Sequence, residues 1–213
     1  MLYPQLTLNC AGRLLNLEVP VVMGIINVTP DSFYDKSRVS GVDAAVKEAA
    51  LMLSEGASIL DIGGMSTRPG ADPVSLEEEL NRVIPVIKAI EKQFPEAVIS
   101  IDTVHAEVAR RAAEVGAGMI NDISAGRMDE KMYEMVAQLQ LPYVLMHMQG
   151  TPQNMQLNPS YENVSLEVLD FFIEEIGKLR ALGVKDIILD PGFGFGKSVD
   201  DNFNLLKKLT SKR

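Results

Sequence analysis

Glu55-Gly56-Ala57-Ser58-Ile59-Leu60-Asp61 decides the fold. A glycine able to take φ > 0 stops a helix there, and the chain turns at once into a short apolar run ending in a carboxylate. The device recurs at Val115-Gly116-Ala117-Gly118-Met119-Ile120-Asn121, and again where Leu182-Gly183-Val184 leads into Ile187-Ile188-Leu189-Asp190. The repeated unit is βα. Three further runs behave alike: Val21 to Ile26 stops at Asn27, Val98-Ile99-Ser100-Ile101 at Asp102, and Tyr143-Val144-Leu145-Met146 at His147. Short β-rich runs alternating with helical patterns predict a parallel sheet buried on both faces. In such sheets ligands sit at the carboxyl ends of the strands. Any single polar strand end reads equally well as a cap; six in step gather an acidic, amide-rich pocket on one rim.

Working outward, residues 4–17 read as a β-hairpin turning at Ala11-Gly12. Asp43 is placed as the N-cap of a helix running to about Glu55. Ser75 and Glu78 form an S-x-x-E capping box. The helix it opens puts Leu76, Leu80, Val83, Ile84, Ile87 and Ile90 on one face and should bend at Pro85. Further helices are predicted at about 105–115, 129–139, 162–182 and 200–209. Short crossovers and unshifted composition favour one continuous array, a single domain over 1–213. A complete (β/α)₈ barrel needs about 250 residues, so the chain reads as an α/β barrel with about six of the eight βα units plus the hairpin. A doubly wound sheet would place a Gly-rich phosphate loop after its first strand; Asn27-Val28-Thr29-Pro30-Asp31-Ser32-Phe33 is not that loop.

The bulk numbers exclude several functions. With 213 residues and 46% hydrophobic composition the chain can build a sizeable core. A net charge of −9 argues against nucleic acid, whose phosphates require a basic face. The single cysteine, Cys10, rules out an internal disulfide and fits a reducing cytoplasm. The start, Met1-Leu2-Tyr3-Pro4, lacks a signal peptide's basic and apolar regions, and no run approaches the ~18 apolar residues of a membrane span. The expectation is a soluble cytoplasmic protein.

Two loops are rich in functional groups. Residues 27–35, after the first βα strand, supply an amide, hydroxyls, carboxylates and an aromatic ring. Gly63-Gly64-Met65-Ser66-Thr67-Arg68-Pro69-Gly70 combines glycines that admit close backbone approach with an arginine fork suited to phosphate. Asp102 and Asp190, helped by Asn121, suit a flat heterocycle, because a carboxylate accepts two parallel bonds from an amidine-like N–H pair. Pro191-Gly192-Phe193-Gly194-Phe195-Gly196-Lys197 leaves room for a ring with Phe195 on its face, and lacks the P-loop spacing. Paired carboxylates also occur in glycosidases, but their sugar sites favour tryptophan and this chain has none. His105 opens a predicted helix, facing solvent or capping it, and His147 ends a strand; neither reads as a metal ligand. Oxygen ligands such as Asn27 suit Mg²⁺.

Taken together, Asn27 to Phe33, Asp61 to Gly70, Ser100-Ile101-Asp102-Thr103, Asn121-Asp122-Ile123-Ser124 and Asp190 to Lys197 resemble dihydropteroate synthase. The resemblance covers nearly the whole chain in order. It implies a TIM (β/α)₈ barrel that joins p-aminobenzoate to 6-hydroxymethyl-7,8-dihydropterin diphosphate, releasing diphosphate in folate biosynthesis, with sulfonamides competing for the aminobenzoate position. It implies Asn27 on Mg²⁺ and diphosphate, and Asp102, Asn121 and Asp190 on the pterin edge with Met146 and Phe195 against its ring. Asp35, Thr67 and Arg68 would serve catalysis from mobile loops, and Phe33 and Pro69 would wall the aminobenzoate. The partners implied are these small molecules, with a homodimer in the full-length form.

Two departures stand out. Met65 occupies a position where that family often has glutamate. The family's Ser-Arg-Lys motif after strand 7 and Arg-x-His motif after strand 8 are missing; Ser211-Lys212-Arg213 is no substitute. The chain therefore reads as a C-terminally truncated member. The competing readings are a non-catalytic pterin-binding fragment and the methyltetrahydrofolate-binding domain of a corrinoid methyltransferase, which has no use for the Arg68 loop.

Overall fold

A computed structural model describes residues 6–28, 38–65, 74–157 and 159–209. A two-stranded antiparallel hairpin, β1 (Thr7–Cys10) and β2 (Arg13–Asn16), precedes six βα units. These are β3 (Val22–Asn27), α1 (Arg38–Ser54), β4 (Ala57–Gly63), α2 (Leu76–Gln93), β5 (Val98–Asp102), α3 (Ala106–Ala113), β6 (Met119–Asp122), α4 (Met132–Leu139), β7 (Tyr143–Met146), α5 (Val164–Ala181), β8 (Ile187–Asp190) and α6 (Val199–Leu209). The six strands are parallel and lie side by side in sequence order, β3 to β8. A doubly wound sheet reverses its strand order midway; this one never does. It is an open arc of a TIM-like barrel, with β3 and β8 as its outer strands.

Three helix-to-strand turns run through glycines with positive φ, Gly56 (106°), Gly116 (118°) and Gly183 (87°), as the repeat predicts. The α4 turn uses Gln140 at φ 53° instead. Ser75 Oγ accepts from Glu78 N at 3.3 Å, so the cap is real. The reciprocal half of the box is replaced, because the Glu78 carboxylate pairs with Arg82. Two expectations need correction. Helix α1 begins at Arg38, ahead of Asp43. On α2, Val83, Ile87 and Ile90 are buried and Leu80 and Ile84 pack half-buried on the core as expected, but Leu76 is exposed, and Glu79 and Val86 join the buried face. Glu79 takes a buried place in the first turn because His105 bonds it.

Strand period sorts the side chains. Outward positions such as Leu60, Ile62, Ile99, Ile101, Ile120 and Leu145 pack against the helices in the main core. Inward positions change character along the strands. At the hairpin end Ile59, Val98, Met119 and Val144 close on Leu8, Cys10 and Leu15, so the hairpin plugs the arc. Two residues on, the same inward columns carry Asp61, Ser100, Asn121 and Met146. The mouth opposite the hairpin is therefore polar by position.

Candidate functional site

The rim is assembled by register. Asn27 pairs with Gly63, Gly63 with Asp102, and Asp102 with Asn121, placing the ends of β3 to β6 in one row. A Cβ on Gly63 would stand 3.2 Å from Asp102 Oδ2 and 3.6 Å from Asn27 Oδ1, close enough to press on the Asp102 carboxyl. Met146 and Asp190 are register partners on β7 and β8. Asp61 is not a strand end, as the sequence suggested; β4 runs on to Gly63, leaving Asp61 inside the arc and 2% exposed.

Hydrogen bonding orients these groups. Asn121 Nδ2 donates to Asp61 Oδ2 at 2.9 Å, which turns the amide oxygen away as an acceptor for an incoming N–H. Asp61 Oδ1 and the Ser100 hydroxyl beside it are buried without hydrogen-bond partners. Burial pushes the Asp61 carboxyl above the usual carboxylate range; the Asn121 amide holds it back, and so does the nearby Ser100 hydroxyl, although it stops short of a well-aligned hydrogen bond. Asp102 is driven well up, first by burial and then by the charges of Asp61, Glu79 and Asp122. Such crowded carboxyls favour a ligand that presents several N–H donors, since each donor relieves the repulsion that holds the pKa high. Asp190 Oδ1 is already committed to Gly192 N at 2.8 Å, so only its other oxygen is free of that turn.

Beside the carboxyls stands an apolar wall. Met146, Met148, Met155, Val104 and Ile123 form one buried cluster, with Met65 and Phe195 packed on it. Met146 and Phe195, expected against a ring, are thus brought together. Asp102, Asn121 and Asp190 share the rim with them.

Asn27 is exposed at the same rim, and no trio of His, Cys, Asp or Glu suited to a metal occurs among the described residues. That donor set fits Mg²⁺ only as an ion held mainly by a substrate's own oxygens and water, with Asn27 as a protein ligand. Phe33, Asp35, Thr67, Arg68 and Pro69 lie outside the described residues.

Sequence reading missed three features. Glu79, fully buried, meets His105 Nδ1 at 2.7 Å through Oε2 while its Oε1 has no partner; in sequence it is only one of several first-turn acids. His147 is buried against Phe171, and burial followed by the charges of Lys197 and Arg127 pulls it down to about 4, so its imidazole is neutral. Lys197, which ends the Gly-rich run, is itself buried and bonded to backbone carbonyls rather than facing an anion. A separate cleft at the hairpin end, lined by Gly12, Arg13, Phe94 and Pro95, gathers none of these groups.

A continuous parallel βα arc with carboxyls, an amide and a methionine-aromatic wall at its carboxyl rim is chemically suited to a flat, N–H-rich heterocycle. A profile of the pterin binding enzyme family matches residues 23–213. Dihydropteroate synthase of Escherichia coli strain K12 is 50% identical over 200 residues, covering 93% of this chain and 70% of that protein. The structure of Xanthomonas albilineans dihydropteroate synthase with 4-aminobenzoic acid superposes with TM-score 0.89 at 48% identity, covering 97% of this chain and 73% of that one. That of Yersinia pestis dihydropteroate synthase in a sulfonamide drug complex gives 0.89 at 44%, covering 96% and 74%. The chain belongs to the pterin-binding enzymes and, within them, to the dihydropteroate synthase family, whose members are transferases of folate synthesis.

Proposed function

We propose that the chain binds 6-hydroxymethyl-7,8-dihydropterin diphosphate at this rim and condenses it with p-aminobenzoate, releasing diphosphate. The observation that carries the reading is the register row that sets Asp102 beside an Asn121 oriented by Asp61, next to the Met146–Phe195 wall. In this reading Asp102, Asn121 and Asp190 hold the pterin edge while the wall covers its face. Carboxyls close to the ring favour the positive charge that develops as the C–O bond breaks, because they lie in a partly water-excluded site. The arylamine is already neutral at pH 7 and attacks without a dedicated strong base. Asn27 would hold Mg²⁺, which supplies charge neutralisation to the diphosphate. Arg68 would assist it, with Asp35 and Thr67 from the same two loops and Phe33 and Pro69 around the aminobenzoate. A cytoplasmic homodimer is part of the same proposal. No described helix is long and apolar enough to cross a membrane.

The test is diphosphate release measured with and without p-aminobenzoate, alongside pterin affinity by calorimetry. Aminobenzoate-dependent release is expected. Asp190→Asn, which turns one acceptor toward the ring into a donor, should weaken pterin binding about tenfold to a hundredfold. Pterin binding without any release would leave the alternative reading, a non-catalytic pterin binder, in its place.

A further inference from the structure

Lys197 is 3% exposed, and its ammonium makes three hydrogen bonds, all to main-chain carbonyls. Nζ donates to His147 O at 3.1 Å, Gly192 O at 2.9 Å and Phe195 O at 3.0 Å. One acceptor follows β7 and two lie in the loop after β8, so a single cation ties the two loops together. The segments touch backbone to backbone. A Cβ on Gly192 would stand 2.1 Å from His147 O, and one on Gly196 would stand 2.3 Å from Gln149 O. Tyr161 Oη and Gln156 Nε2 add bonds to Gly196 O and Gly194 O, at 2.7 and 2.6 Å. Phe195 leaves this knot to pack on the cluster of Met146, Met148, Met155, Val104 and Ile123.

We propose that Lys197 is a positioning residue: its ammonium, saturated by the carbonyls of His147, Gly192 and Phe195, sets the β8 loop against the β7 loop and so fixes Phe195 and Asp190 for a flat ring. The proposal rests on the pterin-site reading above. An ammonium has three N–H donors and three acceptors meet it, which accounts for a buried lysine with no carboxylate in hydrogen-bond contact. A neutral amine has only two N–H groups, so loss of the proton strands one carbonyl and loosens the knot. Burial pulls Lys197 down to about 8, while Asp190 on β8 and Asp201 on α6 hold it up. His147, packed alongside with Arg127 beyond it, is neutral over this range and adds no competing charge.

The sign of the effect separates positioning from plain stability. Because the folded-state value lies below that of the unfolded chain, the unfolded chain binds more protons between about 8 and the ordinary lysine value. Lys197 therefore makes global stability rise, not fall, with pH across that window. Pterin affinity should fall across the same window. The experiment measures pterin affinity by calorimetry from pH 6.5 to 9.5, together with thermal melting, for the wild-type chain, Lys197→Met and Lys197→Arg. Expected are a wild-type affinity that drops about tenfold above pH 8, a Met variant weak at every pH, and partial recovery in the Arg variant, which keeps its charge. Titration of the pterin itself is common to all three proteins and cancels in the comparison. Equal affinities and superimposable pH profiles for wild type and Lys197→Met overturn the proposal while leaving the pterin site intact. No pterin binding by wild type at neutral pH overturns the site reading and this inference with it. If Lys197→Met does not fold, the wild-type and Lys197→Arg profiles decide: an alkaline loss of affinity in wild type that the Arg variant lacks, without loss of helical circular dichroism, supports the proposal, and superimposable profiles defeat it.

Discussion

At the residue scale, Asp102 illustrates a site built against stability. Its carboxyl is held well above the usual range by burial and by the Asp61, Glu79 and Asp122 charges, so ionised Asp102 costs the fold free energy. A carboxyl raised in the folded state loses stability as pH rises from its unfolded value through the folded one. Asp102→Asn should therefore melt about 2–4 °C higher at pH 8, equivalent to roughly 1 kcal/mol. The gain should shrink toward pH 5, and pterin binding should be lost. A variant no more stable than wild type at pH 8 would contradict the repulsion argument. The His105–Glu79 pair follows the same pH sign from the stabilising side. The Glu79 hydrogen bond raises His105 despite partial burial, so its contribution is complete below the ordinary histidine value and fades as pH rises through the raised one. His105→Gln should destabilise the protein at pH 6 and have little effect at pH 9, read from melting curves at the two pH values.

At the scale of elements, the knot between the β7 and β8 loops makes the sharpest contrast between two glycines. Gly194 (φ 84°) and Gly196 (φ 63°) both occupy the left-handed region, where a side chain is strained. A Cβ on Gly194 meets nothing, whereas one on Gly196 runs into the Gln149 carbonyl. Gly194→Ala should cost about 1 kcal/mol and leave pterin affinity intact. Gly196→Ala should cost an additional 1–3 kcal/mol, roughly, by overpacking, and should displace Phe195 enough to weaken pterin binding. Equal affinity in the two variants would argue that the loop contact does not shape the site. This knot was hard to read from sequence. Lys197 closes a Gly-rich run that loosely resembles a phosphate loop, and only the folded chain reveals that its partners are the protein's own carbonyls.

At the scale of the molecule, the arc leaves apolar surface along its outer elements among the described residues. Val22 and Ile25 on β3, Leu189 on β8, and Val199, Phe203 and Leu206 on α6 are all exposed. Unpaired strand edges with apolar flanks invite association. The 213-residue chain should self-associate in a concentration-dependent way, and Phe203→Glu combined with Leu206→Glu should reduce this, as measured by sedimentation velocity. A wild-type chain that stays monomeric and melts sharply across a dilution series would show that these faces are covered.

The sequence by itself determined the alternation of strand and helix, the glycine turns at Gly56, Gly116 and Gly183, and the rim placement of Asn27, Asp102, Asn121 and Asp190. Those features follow from local rules: a positive φ needs glycine, and period two sends every second strand residue to the same face. Only the tertiary structure decided that Asp61 lies inside the arc and steers Asn121. It alone paired buried Glu79 with His105, set Met65 and Phe195 on the cluster of Met146, Met148 and Met155, and closed three carbonyls on Lys197. Each of these depends on register between strands or contact between loops distant in sequence. No local propensity encodes such contacts, because their free energy exists only once the chain has brought the partners together.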